Sequence, residues 1–336
     1  MAMEESGLRI RRFDGGGDGL NILARALAAG KLVAIPTETV YGLAANALDE
    51  AACRRIFAVK GRPLIDPLIV HVRDLGHARE LAEVNAAAEL LMKRYWPGPL
   101  TIVLRKKDVV PGIISAGLPT VALRCPRHPL TRRLLEISGL ALAAPSANRF
   151  GYVSPTRVEH VEAGLGELID YVLDGGPCDI GLESTIVGLA DPGKPVLFRP
   201  GAVSREELSH ALGMEVALPS PRSEDAPAAP GMLKRHYSPN SPVTLFDNGA
   251  SLALSPSLAK NSALVFFTRP RSAEEFSCSA VFWLSESGRP EEAARNVFDL
   301  LRRLDGIGYA RIFVERAPEG GIGDAINDRL TRASAR

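Results

Sequence analysis

The sequence lacks the signatures of several common enzyme chemistries. Its four cysteines, Cys53, Cys125, Cys178 and Cys278, stand singly. With no CxxC pair and no HExxH, nothing indicates a zinc site, a redox dithiol or a disulfide framework, and the thiols read as ordinary buried side chains. No Ser-His-Asp spacing supports covalent hydrolysis. GxxxxGK[ST] is absent, and Gly15-Gly16-Gly17-Asp18-Gly19 precedes a helix with no strand before it, so a bound nucleotide has to be held some other way. No run of eighteen apolar residues exists to span a bilayer, and the acidic start of the chain has no apolar segment; both lead to an expectation of a cytoplasmic protein. Charge of one sign is also missing: 40 Lys and Arg face 39 Asp and Glu, a net of +1. A broad basic surface for nucleic acid is thereby excluded, and any strong positive field must be local.

What is present is a soluble, globular profile over 336 residues, 46% hydrophobic and 24% charged, long enough for two cores. The clearest boundary is the run of prolines from Pro219 to Pro242, which reads as a semi-stiff linker. The division expected is 1–217, a linker at 218–242, and 243–336. Before the linker, apolar runs at 32–35, 68–72, 100–104, 121–124, 140–144 and 171–173 read as strands. Residues 49–60, 78–95 and 129–137 have helical spacing. Asp191-Pro192-Gly193 turns a hairpin between 184–189 and 195–198, and Ser204 to Glu207 has the form of a capping box. After the linker, strands at 243–246, 264–267, 281–284 and 311–314 alternate with helical patterns, so the fold class is α/β with a small three-layer α/β domain at the C-terminal end.

Chemistry gathers where strands end. The strand at 32–35 runs into Pro36-Thr37-Glu38-Thr39-Val40-Tyr41-Gly42, a turn dense with hydroxyls that orients a small polar ligand or simply satisfies turn geometry. Lys60-Gly61-Arg62-Pro63 puts two cations in a stiff turn; they bind an anion such as triphosphate, or cap the carbonyls of the preceding helix. His71 interrupts an apolar strand, as a ligand-binding residue or as a core histidine. Pro145-Ser146-Ala147-Asn148, Gly181 to Thr185, and Phe198 to Gly201 each add polar groups at strand ends. Together they describe a concave site of hydroxyls and cations, which works by positioning reactants and stabilising charge.

PTETVYGLAANA, the KGRP turn, PLIVHV, WPGPLTIVL, TVALRCP, APSAN, STIVG and LFRPG run in order from Lys31 to Gly201. In this the chain resembles the YrdC-type threonylcarbamoyl-adenylate synthases, and GMLKRHYSP with the residues after it resembles their long, two-domain form. The resemblance implies a YrdC-like α/β domain around an open cavity and a Rossmann-like C-terminal domain. It implies condensation of L-threonine, bicarbonate and ATP to threonylcarbamoyl-AMP, the precursor of N6-threonylcarbamoyladenosine in tRNAs reading codons that begin with A. It places threonine at Thr39, His71, Arg124, Ala144 and Ser184, and ATP at Lys60, Arg62, Asp66, Thr120, Ser146, Asn148, Ser154 and Arg199. Asp66 departs from the family, which often has Asn there, and a carboxylate beside triphosphate needs a cation between them. Mg2+ is expected to arrive with ATP. A downstream tRNA threonylcarbamoyl transferase takes the product, so tRNA itself need not be touched. Lys234, Arg235, His236 and Tyr237 in the linker form a lid over the site or dock the two domains. The rival readings are an RNA-binding or ribosome-assembly module, opposed by the near-zero net charge, and a hydrogenase-maturation carbamoyl transferase, opposed by the absence of paired cysteines.

Overall fold

Short apolar runs become the strands of two separate sheets in the computed structural model, which describes residues 10–219, 236–247, 261–270 and 280–335. The first sheet holds β1 (Arg11–Phe13), β2 (Val33–Ile35), β3 (Gly42–Asn46), β4 (Ile69–His71), β5 (Leu100–Arg105), β6 (Thr120–Arg124), β7 (Leu142–Ala143), β8 (Tyr171–Leu173), β9 (Thr185–Gly188) and β10 (Val196–Arg199). Their order is β1-β8-β2-β3-β7-β4-β6-β5-β9-β10, with parallel and antiparallel neighbours mixed. Alternate residues serve opposite faces. Val33, Ile35 and Ala44 pack with α1 (Gly19–Ala28) and α6 (Pro129–Ser138), while Ala34, Leu43 and Ala45 pack on the other side with α2 (Glu50–Lys60). Burial on both faces explains why these strands read as continuous apolar runs.

Three features of this sheet differ from the sequence expectation. The glycine-rich run 15–19 was read as having no strand before it, yet β1 stands there, because parallel pairing with β8 recruits Arg11–Phe13 to the sheet edge. The helix expected over 78–95 is two helices, α3 (Leu75–Leu81) and α4 (Ala86–Tyr95). Asn85 breaks it: its side chain accepts from the Ala88 N–H and so caps α4, and its amide donates to the Leu189 carbonyl. The intervening backbone is tied to the end of β5 through Glu83 N–H to Arg105 O. The strand β3 was not expected, since Gly-Leu-Ala-Ala-Asn has little β propensity. Pairing with β2 and β7 creates it, and Gly42 permits the close approach: a Cβ there would lie 3.2 Å from that of Ala144. The remaining helices of this part are α5 (Gly112–Ser115), α7 (Val158–Leu165) and α8 (Arg205–Leu212), the last with the expected capping box of Ser204 and Glu207.

The second sheet is fully parallel, in the order β11 (Val243–Phe246), β14 (Arg311–Glu315), β12 (Ser262–Thr268), β13 (Ala280–Ser285). Parallel strands require crossovers, and α9 (Pro290–Ile307) supplies the one between β13 and β14. It and α10 (Ile322–Ser334) share one apolar cluster with Val243, Val265, Ile312 and Val314. That cluster also takes in Val40, Val153 and Leu182 from the first part, so the two sheets are joined by apolar packing. Gly181 marks how closely: with φ at +81°, a Cβ there would come within 2.6 Å of the Arg295 backbone. Polar ties surround the seam, including Tyr152 to Asp305 at 2.6 Å and Arg157 to Asp299 at 2.9 Å. No helix among the described residues is long and apolar enough to cross a membrane.

Candidate active site

Neighbouring strands deliver their polar ends to one place. In the parallel pair β4 and β6, the terminal residues His71 and Arg124 lie opposite each other. Ala144 follows β7, Ser184 precedes β9 and Arg199 ends β10. Thr37 folds the turn after β2 upon itself: its hydroxyl donates to the Val40 carbonyl at 2.6 Å, accepts from the Thr39 N–H at 3.1 Å, and lies 2.8 Å from the Thr39 hydroxyl. All five residues expected at threonine, Thr39, His71, Arg124, Ala144 and Ser184, line one cavity. Arg62, Ser146 and Arg199 from the ATP set line the same cavity, as do Glu183, His236 and Tyr237.

Each cation is held by buried partners. Arg124 pairs with Glu38 at 2.9 Å, both almost fully buried, and the other Glu38 oxygen accepts from the Arg127 N–H at 3.0 Å. Burial alone would raise the Glu38 pKa, but Arg124 and these N–H groups outweigh it and hold the carboxyl below its usual range. Arg62 pairs with Asp66 at 2.9 Å and donates to the Pro67 carbonyl at 2.8 Å. Asp66 thus serves Arg62, which itself lines the cavity. Arg199 donates to both the carbonyl and the hydroxyl of Ser184, at 3.0 and 3.1 Å. His71 is driven by burial and by Arg124 down to about 3, so it is neutral at physiological pH.

Other expected residues stand around the cavity rather than in it. The Lys60 ammonium is buried and donates to the carbonyls of Ser146, at 2.5 Å, and Asn148, clamping that loop. It does not cap its own helix; Gly61, at φ +65°, does so with its N–H. Two of three Lys60 donors are engaged, and burial lowers its pKa strongly. The Asn148 amide donates to Arg149 and Tyr152 carbonyls, and the Ser154 hydroxyl donates to Glu183. Thr120 lies at the opposite end of β6 from Arg124, in a separate cavity with Asp191 and Lys194. Lys234 and Arg235 lie outside the described residues.

His236 and Tyr237 close the site. Their rings meet edge to face at 4.1 Å, Tyr237 stacks on Phe298 at 5.4 Å, and His236 contacts Phe150. Tyr237 sits at φ +61°, a strained setting for a bulky side chain, and its buried hydroxyl has no hydrogen-bond partner among the described residues. The cavity they leave is about 50 Å3, well below the roughly 300 Å3 at which sites for drug-sized ligands begin.

Sequence reasoning missed three charged groups: Glu38, Glu183 and Arg329. The two glutamates were legible as lone acids inside otherwise hydroxyl-bearing or apolar strand-end segments. Arg329 carried no such signal, because its partner Glu183 is 146 positions away.

Among the described residues no cluster of three His, Cys, Asp or Glu side chains is placed to hold a metal. Glu183, which lines the cavity, and Glu38 and Asp66, whose partners Arg124 and Arg62 line it, are each paired with an arginine.

Comparisons with known proteins match both parts of the molecule. A family model for Sua5, YciO and YrdC, described as "Telomere recombination", matches residues 25–201, and one for "Threonylcarbamoyl-AMP synthase, C-terminal domain" matches residues 203–335. The threonylcarbamoyl-AMP synthase of Pyrococcus abyssi is 41% identical over 321 residues, 94% of either chain, and that of Bacillus subtilis is 38% identical, covering 93% of this chain and 91% of its own. The crystal structure of P. abyssi Sua5 complexed with L-threonine matches with a TM-score of 0.86 at 40% identity, over 94% of each chain. With matches of this extent over both parts of the molecule, the chain belongs to the threonylcarbamoyl-AMP synthase family.

Proposed function

We propose that this protein condenses L-threonine, bicarbonate or CO2, and ATP into threonylcarbamoyl-AMP, acting as a nucleotidyltransferase that releases pyrophosphate. The observation that carries the reading is the convergence of Thr39, His71, Arg124, Ala144 and Ser184 on the same cavity as Arg62, Ser146 and Arg199. Arg124 receives the amino-acid carboxylate with the donors that Glu38 leaves over. The threonine amine and bicarbonate form a carbamate with loss of water. A carbamate oxygen then attacks the α-phosphorus of ATP, the bond to the bridging oxygen breaks, and pyrophosphate leaves. Arg62 and Arg199 offset phosphate charge, while Lys60 holds the Ser146 loop in place beside them. Mg2+ would enter bound to ATP; among the described residues no group of three His, Cys, Asp or Glu is placed to hold it. The labile carbamate needs a dry site, which His236 and Tyr237 provide by covering it. The product passes to a downstream tRNA threonylcarbamoyl transferase, in the cytoplasm. The test is pyrophosphate release that depends on all three substrates; release without threonine defeats the reading.

The same pocket predicts substrate preference. Hydroxyls of Thr39 and Ser184 with neutral His71 surround the amino-acid side chain, so threonine is expected to exceed serine in kcat/KM by about tenfold or more, the worth of one methyl in a fitted pocket. Equal kcat/KM values in the pyrophosphate assay defeat that assignment.

His71 also predicts a pH dependence. An unfolded histidine titrates near 6.5, whereas folded His71 titrates at about 3. Below pH 6.5 the unfolded chain therefore binds a proton that the folded one refuses, and stability falls as pH drops toward 3. His71→Asn is expected to lose less stability than the wild type between pH 6.5 and 5.5, by about 1 kcal/mol, measured by chemical denaturation. Over the same range the wild-type rate is expected to show no limb arising from His71.

A further inference from the structure

Arg329 belongs to α10, in the second part of the molecule, yet its guanidinium is buried directly behind the cavity. Nε donates to Glu183 Oε2 at 2.9 Å, one terminal nitrogen donates to the Pro200 carbonyl at 2.9 Å and to Asp328 at 2.8 Å, and the other donates to the Glu183 carbonyl at 3.3 Å. The second Glu183 oxygen accepts from the Ser154 hydroxyl at 2.5 Å. The guanidinium carbon also lies 5.5 Å from the centre of the Tyr237 ring. Glu183 precedes Ser184 and Pro200 follows Arg199, and Arg199 itself donates to Ser184. Gly201 seals the arrangement, since a Cβ there would meet the Thr185 nitrogen at 2.4 Å. One planar cation thus joins two strand-end segments, the Ser154 loop and the closing tyrosine. Another ion pair across the seam, Arg157 with Asp299, is partly exposed, and neither residue lines the cavity.

We propose that Arg329 is a positioning residue for the synthesis, through which the C-terminal domain sets the placement of Ser184, Arg199, Ser154 and Tyr237. The geometry requires the forked guanidinium, because a lysine reaches Glu183 or the Pro200 carbonyl but does not span both. The proposal rests on the assignment of those residues to threonine and ATP, so wild type and Arg199→Ala are measured in the same assay. Inactive wild-type protein, or an Arg199→Ala variant indistinguishable from it, overturns that assignment. With the assignment intact, Arg329→Lys is expected to raise the KM for both ATP and threonine at least tenfold while its melting temperature stays close to wild type. Glu183→Gln breaks the same link from the other side and is expected to repeat the pattern, and it decides the matter if the lysine variant is insoluble. Asp299→Asn, which opens the partly exposed seam, is expected to leave both KM values unchanged. A residue that only neutralised Glu183 or held the domains together would be rescued by lysine. KM values within twofold of wild type in a folded Arg329→Lys protein overturn the proposal.

Discussion

Replacing Arg199 by alanine is expected to lower kcat/KM for ATP by about 10- to 100-fold, since a charge-assisted contact in a dry site contributes about 1.5 to 3 kcal/mol. The same substitution is expected to raise the KM for threonine, because Arg199 fixes the Ser184 hydroxyl and carbonyl. Arg62 differs in both respects. Among the described residues it makes no hydrogen bond or ion pair with the threonine set, so its loss is expected to fall on ATP alone. Arg62→Ala by itself, however, takes its arginine from the fully buried Asp66 carboxylate, and breaking such a pair costs about 3 to 5 kcal/mol of stability. Arg62→Ala combined with Asp66→Asn removes that penalty and isolates the kinetic effect. Steady-state pyrophosphate release with ATP and threonine varied in turn reads all of these; unchanged ATP kinetics in either variant removes that arginine from the phosphate site.

Replacing both His236 and Tyr237 by alanine is expected to reduce turnover by about 100-fold or more, through loss of the cover that keeps water from the carbamate. Tyr237→Phe separates cover from chemistry. Its hydroxyl is buried without a partner among the described residues, so its removal is expected to leave the melting temperature unchanged or raised. A fall in turnover alongside that unchanged stability shows that the hydroxyl meets the bound substrates, whereas full activity confines Tyr237 to packing. Point variants serve better than truncation after Leu218, which would strip the cover from Val40, Val153 and Leu182. Limited proteolysis after Lys234 or Arg235 gives an independent measure: cleavage is expected to slow with ATP and threonine bound. Equal cleavage with and without ligands, together with an active double-alanine variant, reduces the segment to a tether between domains.

The sequence by itself determined most of the strands, the hairpin, the capping box of α8, and the two sheets on either side of the linker, because these follow from local periodicity and turn chemistry. It also identified the hydroxyls and cations at the strand ends, each written in a short contiguous motif. Local pattern failed at the helix over 78–95, where Asn85 is bonded to Leu189, and at β3, whose weak propensity is overridden by its neighbours. Which cations face the cavity was decided only by tertiary structure. Lys60 and Arg62 are two residues apart, yet one clamps the Ser146 loop and the other lines the cavity. Glu38 on Arg124, Asp66 on Arg62 and Arg329 on Glu183 are likewise products of packing. A buried charge must find its partner wherever the fold brings one, and for Arg329 that partner lies in another domain, at a separation no sequence period records.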